Sequence, residues 1–193
     1  MKDSWDDYAE GWDTNPDAIR YSQMAFDSLL GVADIEGAEV FDLGCGTGLL
    51  SEKIASQAKS IVALDTSPKM MAVLQAKNLP NVTPVFCSLP SLLNKNNSEY
   101  QSRFDLVVAS SVCAFVPDYG EVLEQIKTIL KPGGQLIQWD WYSPDASSHP
   151  GFTEDQISGA IIHAGFSSVS VSHGFAMSGP DGDATVLLAV ARK

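Results

Sequence analysis

This chain is predicted to form an α/β fold, a doubly wound, mostly parallel seven-stranded sheet of Rossmann-like type that ends in an antiparallel hairpin. Three observations lead there. From Glu39 onward, short Val/Ile/Leu-rich runs alternate with amphipathic stretches, the pattern of parallel strands joined by helical crossovers and covered on both faces. One strand-to-helix turn is glycine-rich, Asp42-Leu43-Gly44-Cys45-Gly46-Thr47-Gly48. The last two apolar runs are separated only by GFAMSGPDGDAT, a loop composition that pairs its flanking strands antiparallel.

The elements follow in order. Residues 1 to 38 form an acidic helical leader or cap, and residues 39 to 193 form the main domain. Within the leader, Asp17 to Ala33 reads as a helix because Phe26, Leu29, Leu30 and Ala33 repeat at i, i+3, i+4 and i+7. Glu39 to Leu43 is the first strand, and a helix from Thr47 to Ala58 follows it. Ser60 to Leu64 is the second strand. The helix from Pro68 to Lys77 has Ser67 as N-cap and proline in its first position. Val82 to Phe86 and Phe104 to Ala109 are the third and fourth strands. Leu92 to Arg103, with its NKNNSEYQSR run, reads as a polar surface loop. Val122, Leu123, Ile126, Ile129 and Leu130 make one stripe on a helix from Asp118 to Leu130, which Pro132-Gly133-Gly134 stops. Gln135 to Asp140 is the fifth strand, Thr153 to Ala164 a helix ended by Gly165, and Ser168 to Ser172 and Ala184 to Ala191 the last two strands.

Composition narrows the function. A chain of 193 residues, 45% hydrophobic, suits one globular domain. No apolar run approaches the roughly 18 residues of a membrane span, and the acidic start MKDSWDDYAEGWD lacks a secretory apolar segment. A net charge of −12 repels phosphate backbones, so neither a membrane nor nucleic acid is the expected partner. Cys45, Cys87 and Cys113 are widely spaced, which suggests a reduced, cytoplasmic compartment. Neither they nor His149, His163 and His173 have metal-ligand spacing, so no metal is expected.

The glycine turn carries the chemistry. Glycines at a strand-to-helix junction allow close backbone approach to a ligand, and a helix N-terminus presents free N–H groups. In a dinucleotide fingerprint G-x-G-x-x-G the third small residue would fall on Leu49, which is too large; here the third glycine comes at Gly48. Asp65 stands just past the second strand, 17 residues after Gly48, where a carboxylate can accept hydrogen bonds from both ribose hydroxyls of a nucleoside.

Four blocks, VFDLGCGTG, VALDTSPKM, FDLVVASSV and LKPGGQLI, resemble in order and spacing those of the class I S-adenosylmethionine-dependent methyltransferases. The resemblance spans Glu39 to Asp140 and is nearest in tone to small-molecule methyltransferases, such as those acting on quinone precursors. It implies that S-adenosylmethionine is the cofactor. It further implies that Gly44, Cys45, Gly46 and Gly48 line the methionine part, that Asp42 orients the turn and reaches the methionine ammonium, and that Asp65 binds the ribose diol. By the same resemblance Thr66 and Met70 flank the adenine, Leu89 closes it from the other side, Ser88 touches its polar edge, and the Ser110 carbonyl meets the methionine end. The segment Phe86-Cys87-Ser88-Leu89-Pro90 departs from many relatives in lacking a carboxylate for the adenine amino group.

The expected reaction is in-line displacement of the methyl group toward a small-molecule acceptor, with the protein supplying alignment and exclusion of water. No conspicuous catalytic residue stands out; Asp140, Tyr142 and His149 are candidates by position. Trp139 and Trp141, after the fifth strand, are candidate substrate-wall residues. Tyr8 and Trp12, four apart, are expected to share one helical face over the site. Trp141 to Phe152 and Leu92 to Arg103 are alternative lids. Ser110-Ser111-Val112-Cys113 has none of the Asn/Asp-Pro-Pro-aromatic character of adenine-N6 methyltransferases. The alternatives are a non-catalytic S-adenosylmethionine-binding protein of the same fold, a nicotinamide oxidoreductase, disfavoured by Leu49, and an aminopropyl transferase. A monomer and a homodimer are equally compatible with the sequence.

Overall fold

In the computed structural model, residues 4–144, 150–179 and 182–193 are described. Seven strands form one sheet: β1 (Glu39–Leu43), β2 (Ser60–Asp65), β3 (Val82–Phe86), β4 (Phe104–Ser110), β5 (Leu130–Trp141), β6 (Ser168–Gly179) and β7 (Gly182–Arg192). Their order is β3-β2-β1-β4-β5-β7-β6. The strands from β3 to β5 run parallel, and β7 lies antiparallel between β5 and β6. The chain winds outward from β1 in one direction and from β4 in the other. The crevice between these two strand ends is the topological switch point, where such sheets bind ligands.

Among the described residues there are seven α-helices: α1 (Trp5–Tyr8), α2 (Pro16–Leu30), α3 (Leu49–Ile54), α4 (Pro68–Ala76), α5 (Leu89–Tyr100), α6 (Tyr119–Ile129) and α7 (Glu154–His163). Period-two alternation divides the core. Phe41, Leu43, Val107 and Leu136 join Leu92, Leu123, Ile126 and Ile157 of α5, α6 and α7 on one face. Val40, Ile61, Val108 and Ile137 join Leu29, Leu50, Ile54 and Leu74 of α2, α3 and α4 on the other. Local chemistry sets the helix starts. Ser67 Oγ accepts the Met70 N–H at 3.2 Å, Asn15 Oδ1 accepts the Asp17 N–H at 2.9 Å, and Thr153 and Gln156 form a capping box on α7.

Several boundaries differ from the sequence reading. The helix after β1 begins at Leu49 rather than Thr47, because Gly48 takes a left-handed φ of +82° as its N-cap. Leu92 to Arg103 is not a loop: α5 occupies most of it, and Leu89, Leu92, Leu93 and Tyr100 are buried. Its apolar stripe is sparse but has helical spacing, and burial outweighs the polar run. The C-terminal hairpin is also longer, since most of GFAMSGPDGDAT pairs as β6 and β7, with a register shift between His173 and Phe175. At that bulge a side chain on Gly174 would come within 2.9 Å of Leu188 Cβ. The leader holds no single helix under Tyr8 and Trp12: α1 ends at Tyr8, Gly11 turns left-handed at φ +99°, and Trp12–Thr14 is a separate 3₁₀ turn. Among the described residues no helix is long and apolar enough to cross a membrane.

Candidate active site

The site is assembled from the C-terminal ends of β1, β2 and β4. In the turn after β1, Gly44, Gly46 and Gly48 all have positive φ, at +68°, +54° and +82°. Two of them are needed for packing as well. A Cβ on Gly44 would lie 2.3 Å from Val112 Cγ2, and one on Gly48 would lie 2.4 Å from Leu74 Cδ1. Gly46 differs: its nearest neighbour would be Met70 Sδ at 4.0 Å, so a side chain there would occupy the cavity itself.

Four amide donors of this turn are engaged within the protein. Gly44 and Cys45 donate to the Leu64 carbonyl at 2.8 and 3.0 Å, and Gly48 donates to the Cys45 carbonyl at 2.9 Å. Gly46 donates to Asp65 Oδ2 at 2.9 Å, while Asp65 Oδ1 accepts the Ser67 N–H at 2.8 Å. Asp65 therefore joins the glycine turn to the start of α4, and each of its oxygens keeps a further lone pair.

These strand ends open onto a cavity of about 450 Å³. Gly44, Gly46, Asp65, Thr66, Met70, Ser88, Leu89 and Ser110 line it; Asp42, Cys45 and Gly48 lie behind the lining. The Asp42 carboxylate is buried under the turn, where its Oδ2 accepts the Ser51 hydroxyl at 2.6 Å. Burial pushes its pKa up to about 7, against the pull of Ser51 and with a further push from the charge of Asp65. Cys45 faces the interior, 3.8 Å from Met71 Sδ, and burial raises its thiol well above the ordinary value.

The leader supplies the opposite wall. Asp6 Oδ1 accepts the Ser67 hydroxyl at 2.5 Å and the Lys69 N–H at 3.2 Å, and the Ser67 bond holds the Asp6 carboxyl below its usual range. Lys77 pairs with Asp13 at 2.9 Å and Glu52 at 3.0 Å. Anchored in this way, Trp5 and Trp12 reach the cavity, and the Trp5 ring meets Phe115 edge-on at 5.2 Å. Tyr8 is 45% exposed and touches the rings of Trp5 and Trp12 from outside the lining.

The Trp139-Asp140-Trp141-Tyr142 cluster is not on the cavity wall. The reason is the length of β5, which stays paired with β7 as far as Trp141, so these positions lie inside the ladder and not beyond it. Trp139 is fully buried on the α2 face and donates its indole N–H to Ser28 Oγ at 2.8 Å. Trp141 packs on the Tyr21 ring at 5.4 Å. Tyr142 bridges to Phe152, its ring 5.8 Å from His173. His149 lies outside the described residues.

Asp140 is buried beneath the 3₁₀ turn Cys113–Phe115. It accepts Gln138 Nε2 at 2.9 Å and the Ala114 N–H at 3.4 Å, and Gln138 in turn accepts the Tyr119 hydroxyl at 2.8 Å. This chain ties α6 and β5 to the turn that carries Phe115, so Asp140 acts as a positioning residue. Burial raises its pKa to about 7, while bonds from Gln138, Ala114 and Cys113 pull it down. Ionisation therefore costs more in the folded chain than in the unfolded one. The contribution of Asp140 to stability should fall as pH rises from about 4 toward 7 and return on acidification. Chemical denaturation at pH 5 and pH 7 should show a smaller pH effect in Asp140→Asn than in the parent; an equal effect in both would contradict this.

Lining residues that sequence reasoning did not assign to the site are Leu43, Leu64, Pro90, Ser111, Val112 and the stretch Phe115 to Asp118 with Glu121 and Val122. The available signal was Pro117-Asp118 ahead of the α6 stripe, since a helix start just past β4 must face the switch point. Among the described residues no group of His, Cys, Asp and Glu is arranged to hold a metal ion.

Strand order, glycine turn and the carboxylate that ends β2 together define a doubly wound α/β protein of the methyltransferase type. Residues 41–136 match a family model described as "Methyltransferase domain". An uncharacterized methyltransferase of Schizosaccharomyces pombe is 30% identical over 143 residues, covering 70% of this chain and 50% of that protein. The ubiquinone biosynthesis O-methyltransferase of Xanthomonas oryzae pv. oryzae is 33% identical over 104 residues, covering 54% of this chain and 43% of that one. An S-adenosylmethionine-dependent methyltransferase structure from Mesorhizobium loti superposes with a TM-score of 0.68 at 19% identity, over 86% of this chain and 96% of that one. The chain belongs to the class I S-adenosylmethionine-dependent methyltransferases. It spans about half the length of the curated relatives it matches.

Proposed function

We propose that this chain transfers the methyl group of S-adenosylmethionine to a small-molecule acceptor by in-line displacement. The observation that carries this is one continuous cavity joining the glycine turn and Asp65 to the aromatic wall of Trp5, Trp12 and Phe115. In this reading the turn at Gly44 and Gly46 takes the methionine part, with Asp42 and Cys45 behind it and Gly48 shaping it. Asp65 receives the ribose hydroxyls, Thr66, Met70 and Leu89 enclose the adenine, and Ser88 meets its edge. Ser110 meets the methionine end. The space in front of Gly46 fits this placement. The Gly44, Cys45, Gly46 and Gly48 amides are committed within the protein and are not open to a pyrophosphate.

The cofactor, when bound, supplies a methyl carbon made electrophilic by its positive sulfur. The chain's own residues align the two reactants and keep water away. The titratable groups on the lining are Asp65, Asp118 and Glu121, and Asp65 is committed to two amide bonds. Trp5, Trp12 and Phe115 close the acceptor side. That relatives are ubiquinone biosynthesis O-methyltransferases supports a small acceptor.

Isothermal titration with S-adenosylmethionine, S-adenosylhomocysteine and, as control, NAD tests the assignment. Micromolar binding of the two adenosyl ligands and none of NAD is expected. NAD binding, or silence with both adenosyl ligands, would overturn it. Binding without methyl transfer to any acceptor in a broad small-molecule panel would favour a non-catalytic role.

A further inference from the structure

The charge and shape of the acceptor end of the cavity point beyond "small molecule". We propose that the acceptor is a compact, ring-bearing compound carrying a positive charge, and that the cavity wall discriminates against anionic relatives of the same size. This rests on the methyltransferase reading above and narrows its substrate class.

Two features of the wall support it. First, the acceptor side is aromatic. The Trp5 ring stands at 90° to Trp12 and 87° to Phe115, with centroid separations of 6.2 and 5.2 Å. In an edge-to-face pair one ring receives the other's edge on a single face, and the ring faces turned to the cavity present the negative part of the aromatic quadrupole. An apolar ring can lie against this wall, and a cationic group gains from it.

Second, the charges on the lining all have one sign. Asp118 and Glu121 stand beside Phe115, Val116 and Pro117, and no lining residue is Lys, Arg or His. Their recorded partners are neutral donors: Asp118 Oδ1 accepts the Glu121 N–H, and Glu121 Oε1 accepts Gln125 Nε2, both at 2.9 Å. Among the described residues neither carboxylate has an ion pair, so both charges are available to a ligand. The net charge of −12 extends the same sign around the protein, raising the local concentration of cations and lowering that of anions. An anionic acceptor would meet the carboxylates of Asp118, the N-cap of α6, and Glu121 in its first turn, together with aromatic faces, and no Lys, Arg or His on the wall. The proposal concerns the charge of the acceptor, recognised apart from the nucleophilic atom.

Three catechols with one ring and one pair of hydroxyls but different charge test this: dopamine (cationic), 4-methylcatechol (neutral) and 3,4-dihydroxyphenylacetate (anionic). Each is titrated at low ionic strength into the full chain saturated with S-adenosylhomocysteine, with calorimetry and tryptophan fluorescence as readouts. Dopamine is expected to bind about tenfold or more tighter than the anion, with the neutral compound between them. The gap should shrink in 0.5 M salt, as expected for exposed carboxylates whose field is screened within about 10 Å or less. The Asp118→Asn/Glu121→Gln double variant, checked for folding by its thermal melt, should lose most of the gap. Equal or tighter binding of the anion, a gap that survives in the double variant, or failure of all three to bind the loaded protein would each overturn the proposal. Failure of the cofactor reading would be seen separately and earlier, as absence of S-adenosylhomocysteine binding.

Discussion

Asp65→Ala is expected to weaken S-adenosylmethionine binding at least about a hundredfold, which corresponds to roughly 3 kcal/mol. In the proposed placement the residue has two tasks. Toward the ligand it would offer a charged acceptor to two ribose hydroxyls, and hydrogen bonds to charged groups contribute about 1.5–3 kcal/mol each. Toward the protein it receives the Gly46 and Ser67 amides at 2.9 and 2.8 Å. Alanine leaves both donors without their acceptor and loosens the turn against α4. Asp65→Asn separates the two tasks, since the amide keeps one acceptor oxygen and nearly the same shape. Its affinity should fall between those of the parent and of Asp65→Ala. Calorimetry gives the affinities, and a ligand-free thermal melt gives the structural share. Unchanged affinity in Asp65→Ala would place the ribose elsewhere.

Gly44→Ala is expected to destabilise the fold by about 2–5 kcal/mol, the sum of a left-handed backbone forced on a residue with a Cβ and an overpacked contact. The backbone stands at φ +68°, and the added carbon would lie 2.3 Å from Val112 Cγ2 and 2.6 Å from Val112 Cβ. Relief requires β1 and the segment after β4 to separate, which also displaces Ser110 and Ser111 from the cavity. Against a total stability of about 5–15 kcal/mol this is a large fraction. Gly46→Ala is the informative contrast. It carries a similar backbone penalty, but its only neighbour would be Met70 Sδ at 4.0 Å. It should lose less stability than Gly44→Ala while losing ligand affinity, because its methyl group enters the cavity. Urea denaturation and calorimetry on both variants check the pair. A Gly44→Ala protein that kept the parent's midpoint and affinity would show that β1 and the β4 segment do not pack as described.

Much of the fold was legible in the sequence because its signals are local. Pro68 behind the Ser67 cap marks a helix start where a single turn of chain decides the outcome. The Val/Ile/Leu-rich runs of β1 and β4 mark strands covered on both faces before any partner is known. Even the direction of the last two strands follows from the absence of a crossover helix. The glycines after β1 and the aspartate at the end of β2 were identifiable because a strand end and the turn that follows it are contiguous in the chain.

Other features depended on residues far apart in sequence. Trp139 and Trp141 look like a ligand wall if β5 ends at Asp140; pairing with Leu188 and Val186 keeps them inside the sheet and buries Trp139 against α2. The polar run before Tyr100 is helical because Leu92, Leu93 and Tyr100 find a core supplied by β4 and α6. The Gly44, Cys45 and Gly46 amides are engaged because Leu64 and Asp65 of the neighbouring strand reach them. Trp5 and Phe115, 110 positions apart in the chain, form one wall because Asp6 is tied to Ser67 and Asp140 holds the turn that bears Phe115. The sequence by itself determined the architecture and the glycine-turn side of the cavity, since periodicity, caps and turns act over a few residues. Only the tertiary structure decided the aromatic side, because that wall comes from segments brought together by long-range packing, hydrogen bonds and charge, which local sequence pattern does not encode.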